Sequence, residues 1–152
     1  IFSCTMLPVK AVREAVITTL IEWHDKFVSV IYVNDESSVT TFHITPSYIP
    51  NGFSQVEIPD ENSGFYYGQF SDSHNNWFDI LVIPIENTQE TFLDNEFSTY
   101  YSINFNGIQA IWGIMNDGSN AFLWERGPLS FQVCGNLDLT ELIKISEKIG
   151  VE

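Results

Sequence analysis

The sequence predicts an α+β fold, a curved antiparallel β-sheet meander with an N-terminal and a C-terminal helix packed against it, and three observations carry that expectation. An amphipathic stripe opens the chain and a capping box with an apolar stripe closes it; between them, short β-branched and aromatic runs alternate with turn-forming clusters. No helix-length pattern separates those runs, so parallel crossovers are not expected, and strands bracketed by helices define an α+β domain. With 152 residues, 44% of them apolar and 14% aromatic, the chain suffices for one core, since a domain of this size buries roughly 70% of the surface its unfolded chain exposes. The expected organisation is a single domain over 1–152: a flexible N-terminal remnant at 1–8, a helix at 9–27, antiparallel strands across 28–133 and a helix at 138–149.

Each element has its own warrant. Val12, Ala15, Val16, Leu20, Trp23 and Phe27 recur at intervals of three and four, one stripe of a helix over 9–27, with Pro8 suited to its first turn. The run 28–33 is β-branched and ends in Asn34-Asp35-Glu36-Ser37, which predicts a strand, a turn and a second strand near 39–44. Thr45-Pro46 and Ile49-Pro50-Asn51-Gly52 then break the pattern, because proline removes a ladder donor and Asn-Gly favours a tight turn. Strands are expected at 53–58, 64–70, 77–83, 99–105, 108–115, 121–124 and 129–133, with Asn106-Gly107 and Arg126-Gly127-Pro128 among the hairpin turns. The stretch 86–96 is polar and is expected as irregular surface. Asp138 with Glu141 three residues on forms a capping box, and Leu139, Leu142, Ile143, Ile145 and Ile149 continue it as a helix ending near Gly150.

Charge narrows the partners. Twenty acidic residues face six basic ones, a formal net charge of −14, and no basic residue lies between Lys26 and Arg126. Nucleic acid is excluded as a partner on that balance, and an anionic membrane surface would repel the chain; a cationic partner would not. No run of eighteen apolar residues is present, so any membrane attachment is expected only through a segment upstream. Ile1 in place of an initiator methionine leads us to expect a processed chain or a fragment of a longer one.

Residues able to carry catalysis are sparse. His24, His43 and His74 are scattered and fit no metal-ligand frame, and Cys4 and Cys134 match no metal or thiol-enzyme spacing, Cys134 reading as a small buried hydrophobe. A Cys4–Cys134 disulfide is open at this point. Acidic pairs occur at Asp60-Glu61, at Asp94 with Glu96, and at Asp72 with Asp79, each in or beside a turn where such residues serve local backbone geometry. Asp72-Ser73-His74-Asn75-Asn76 offers at most a weak oxygen site. We therefore expect no catalytic residues, no metal and no cofactor. Aromatics remain: Phe65, Tyr66, Tyr67, Phe70, Trp77 and Phe78 flank one hairpin, and strand alternation must turn some of them away from the core. Tyr66, Tyr67 and Trp77 are the candidate binding residues, for an unknown protein, peptide or glycan.

Several segments in order resemble a known family. Tyr48-Ile49-Pro50-Asn51-Gly52-Phe53 resembles its tyrosine, aliphatic, proline, any residue, glycine, aromatic motif. Asn106-Gly107, Trp124 with Gly127, and Gly135-Asn136-Leu137 leading into Thr140-Glu141-Leu142-Ile143-Lys144-Ile145 resemble its closing strands and helix. From about Pro46 to Gly150 the chain is similar to domain of unknown function 4367. The resemblance implies an extracytoplasmic module of Gram-positive bacteria, commonly preceded by a membrane helix and in some members by a cytoplasmic anti-sigma region. It implies a sensing or interaction role, with turn and packing residues rather than catalytic ones to carry over. Tied to this chain, that role would depend on sequence upstream of it.

Overall fold

A computed structural model describes residues 17–23, 27–34, 41–57, 64–85, 88–94 and 98–152. Its strands in order are β1 (Ile17–Trp23), β2 (Phe27–Asn34), β3 (Ile44–Pro46), β4 (Ser54–Glu57), β5 (Tyr66–Ser71), β6 (Trp77–Pro84), β7 (Thr88–Asp94), β8 (Ser98–Phe105), β9 (Ile108–Met115), β10 (Asn120–Arg126) and β11 (Leu129–Gly135); helix α1 (Leu139–Glu147) and strand β12 (Ile149–Val151) follow. They form a seven-stranded sheet in the order β4-β5-β6-β11-β10-β9-β8, a three-stranded sheet β1-β2-β7 and a pair β12-β3. Every pairing is antiparallel. The α+β class holds, as mostly antiparallel sheet with a C-terminal helix.

The helix expected at 9–27 is corrected. Its described part is β1, paired residue for residue with β2 from Ile17 opposite Asn34 to Trp23 opposite Val28. Val16-Ile17-Thr18-Thr19-Leu20-Ile21 explains the outcome: five of these six residues are β-branched. Such side chains lose rotamer freedom in a helix and suit a pleated strand. Residues 1–16, including the expected 1–8 remnant, lie outside the described residues. The first hairpin is corrected too, because β2 pairs with β1 and β7 rather than with a strand at 39–44. Part of the expected irregular stretch at 86–96 is β7, whose polar sequence gives little alternation and whose pairing with β2 supplies the order.

The large sheet is two meanders rather than one. Strands β4 to β6 follow each other, as do β8 to β11, but β6 pairs with β11, so the chain leaves β6, forms β7 in another sheet and re-enters at the far edge. Alternation then builds the core: Phe70, Phe78, Ile80, Val82, Phe122, Trp124, Phe131 and Val133 are buried with Leu142 and Ile145 of α1. Trp124 stacks on Phe131 at 5.0 Å between ring centres and meets Phe105 edge-on at 5.3 Å, geometries that add to the area these rings bury.

The last helix forms as the capping box predicts. Asp138 Oδ1 accepts from Glu141 N–H at 2.8 Å, and the buried face is Leu142, Ile145 and Ser146. Ile149, expected in the helix, opens β12 instead and pairs with Pro46. The Tyr48 motif is what fastens this end. Its hydroxyl donates to Glu141 Oε1 at 2.5 Å and accepts from Lys144 Nζ at 2.8 Å, and it holds the Lys144 ammonium above its ordinary pKa. Ser47 donates both its N–H and its hydroxyl to Lys148 O at 2.8 Å, satisfying a carbonyl at the helix end. Phe53 N–H bonds Pro50 O at 3.2 Å and closes the turn between them.

Candidate functional site

The three residues expected to share a binding patch do not converge. In β5 and β6 the buried residues Gly68, Phe70, Phe78, Ile80 and Val82 mark the core face. Tyr66, opposite Val82, lies on that face and packs against the core, and burial raises its phenol pKa. Tyr67 and Trp77 lie on the other face, as their register requires. All three are half-buried.

The titratable groups are mostly engaged in local structure. Asp72 Oδ1 accepts from His74 N–H at 2.8 Å and Asn76 N–H at 2.9 Å, while Oδ2 accepts from Asn76 Nδ2 at 2.7 Å. These bonds, the Asn76 side chain foremost, hold its carboxyl below the usual range, so the carboxylate closes its own turn rather than waiting for a cation. The ring of His74 is exposed and 3.9 Å from Asp72 Oδ2, and His43 is exposed beside β3. His24, Cys4, Asp60, Glu61 and Glu96 lie outside the described residues. Among the described residues no group of three His, Cys, Asp or Glu is placed to hold a metal ion.

Asp79 differs. It stands on the face of Tyr67, whose hydroxyl donates to Oδ2 at 3.0 Å, and is directly across from Cys134 of β11. Burial pushes its carboxyl pKa up, opposed by the Tyr67 hydroxyl and then by the nearby Gln69 amide. Its Oδ1 is buried with no hydrogen-bond partner among the described residues. Cys134 is a free thiol that accepts from Gln132 Nε2 at 3.0 Å; burial, and to a smaller degree the charge of Asp79, raise its pKa. That suppresses the thiolate and leaves Cys134 a packing residue, as its sequence context suggests.

The open aromatic surface lies at the opposite edge of the sheet. Among the described residues strand β8 is the edge, hydrogen-bonded to β9 alone. Phe105 and Ile103 join the core, and alternation puts Tyr101 on the same face, beyond them toward the start of the strand. Tyr101 is 44% exposed and stacks on Trp112, its cross-strand partner, at 4.9 Å and 29°. Trp112 is pinned from behind: its Nε1 donates to Asn120 Oδ1 at 2.9 Å, and Asn120 Nδ2 donates to Leu137 O at 2.8 Å, just ahead of α1. Ile108, 36% exposed, extends the edge at its far end. Sequence reasoning missed this pair although Tyr100-Tyr101, like Tyr66-Tyr67, must send two rings to opposite faces; which of these strands forms an edge depends on the β6–β11 pairing.

The fold and these surfaces define an antiparallel α+β module whose aromatic platform sits at an open sheet edge. The chain belongs to the family described as domain of unknown function (DUF4367), whose model matches residues 43–149. No curated protein and no solved structure matches it.

Proposed function

We propose that this is a non-enzymatic extracytoplasmic sensor or interaction domain, the outer part of a membrane-anchored, anti-sigma-factor-like protein, and that it contacts its partner through the Tyr101–Trp112 platform. The observation that carries the reading is that platform, a stacked pair open to solvent at Tyr101 and held in place by the Trp112–Asn120–Leu137 chain of bonds. Rings fixed before binding give contact area with little ordering cost. The non-enzymatic part is supported by the engagement of Asp72, Asp138 and Glu141 in a turn, a cap and a clamp. The extracytoplasmic part comes from what the family resemblance implies. The alternative of a cell-surface module for glycan or peptide, first attached to Tyr66, Tyr67 and Trp77, moves to Tyr101 and Trp112 with the same rationale.

The test uses the full-length protein in its own cells, with a photo-crosslinking residue at position 101 and, as a control, at the exposed position 147 of α1. The domain is expected to be cut by protease added to intact cells, and a discrete adduct is expected from position 101 and not from 147. Protection from the protease overturns the location; equal adducts at both positions overturn the surface.

A further inference from the structure

The two edges of the seven-stranded sheet are not alike. Strand β4 is four residues long and has a register shift between Gln55 and Glu57; although it exposes Val56, it is short and bulged, two of the ways in which proteins blunt an edge. Strand β8 has neither protection. It runs eight residues in unbroken register with β9, from Ser98 opposite Met115 to Phe105 opposite Ile108, and its sequence Ser-Thr-Tyr-Tyr-Ser-Ile-Asn-Phe contains no proline, lysine or other charge. Thr99, Tyr101, Ser102 and Asn104 are exposed.

Charge is distributed unevenly along this edge. Register brings Ser98, Met115, Asn120 and Gly135 to one end of the sheet, and the turn after Met115 carries Asp117. The Ser119 hydroxyl and N–H, at 2.5 and 2.9 Å from Asp117 Oδ1, keep that carboxylate ionised by lowering its pKa. Asp138 follows Gly135 by three residues. Arg126 lies at the opposite end of β10. Among the described residues the edge therefore runs from an acidic end to one where the charges of Glu125 and Arg126 offset each other.

Resting on the interaction surface proposed above, we infer that the partner is an extended, basic peptide segment of another protein. It adds to β8 as an eighth strand, with a Lys or Arg near the Ser98 end and an apolar side chain on Tyr101 and Trp112. Main-chain bonds to β8 supply affinity and the alternate side chains supply choice, as in other strand-addition complexes. A second copy of this chain, at a net charge of −14, is the less complementary occupant.

The experiment pans a display library of random nine-residue peptides against the whole chain and resynthesises the enriched peptides with single N-methylated amides. Strand addition predicts enrichment of peptides alternating β-branched and polar residues with a basic residue near one end. It also predicts that methylating one alternate set of amides weakens binding at least about tenfold while methylating the other set does little. Asp117→Asn should weaken these peptides and flatten their salt dependence. Peptides lost with Tyr101→Ala but indifferent to amide methylation keep the surface and overturn strand addition. Selection of acidic or neutral peptides overturns the basic partner, and no enrichment overturns both the inference and the surface beneath it.

Discussion

Two residues of the central strands make opposite demands on their surroundings. Asp79 keeps a buried oxygen without a partner among the described residues, and its raised pKa means the folded state holds a proton that the unfolded chain releases. Between the unfolded value of 3.8 and the higher folded value, the native state binds more protons, so stability falls as pH rises through that window and the cost is fully present above it. Asp79→Asn, which leaves an acceptor for Tyr67, is expected to gain on the order of 1 kcal/mol at pH 7 and to remove that slope, measured by urea unfolding from pH 4 to 7. Gly135 is required for closeness rather than for its dihedral. A Cβ there would stand 2.5 Å from Trp77 O and 2.8 Å from Phe78 Cβ, and neither backbone nor core can yield cheaply. Gly135→Ala should cost roughly 1–3 kcal/mol, read in the same unfolding experiment.

At the scale of elements, the legible parts were those whose order is local. The hairpin turn at Asn106-Gly107 has φ of 52° and 87°, the paired positive values that make Asn-Gly the strongest hairpin signal, and the strands on either side fell where the sequence put them. The capping box fixed the start of α1 for the same reason. Periodicity misled over 17–23, because Val16, Leu20 and Trp23 continue a helical stripe while the β-branching of Ile17, Thr18, Thr19 and Ile21 favours a strand; the decision lies with β2, a neighbour the periodicity does not contain. The Tyr48 motif was recognised, but its action became visible only when the loop met α1. Tyr48→Phe should cost about 1 kcal/mol through the lost bond to Glu141, and Asp138→Ala a similar amount through the lost cap. Because both bonds hold the same short helix, the double variant should depart from additivity, a result that unfolding of the two singles and the double would establish.

For the whole molecule, the sheet order was the least legible feature, and the candidate site was missed with it: nothing in the runs 77–83 and 129–133 says that they pair, and without that pairing neither β8 nor β4 can be recognised as an edge. The same topology suggests where the independent folding unit begins. His43 and Glu152 exchange N–H to carbonyl bonds at 2.8 and 3.0 Å, so the two ends of the seven-stranded unit are tied together, and the family match over 43–149 stops just inside that tie. Among the described side chains, the buried residues of the main core lie between Ile44 and Ile149. A fragment of residues 41–152 should therefore fold and unfold as one cooperative unit. Strand β7 lies inside that span but, among the described residues, pairs only with β2, which the fragment lacks. Limited proteolysis should accordingly cut the fragment between Ile85 and Ser98 well before it cuts the longer chain, since unpaired strand backbone is open to a protease while ladder-bonded backbone must first open. Equal protection in both would mean that β7 is ordered by the large sheet itself, and a fragment with no cooperative transition would mean that the three-stranded sheet is needed to complete the core.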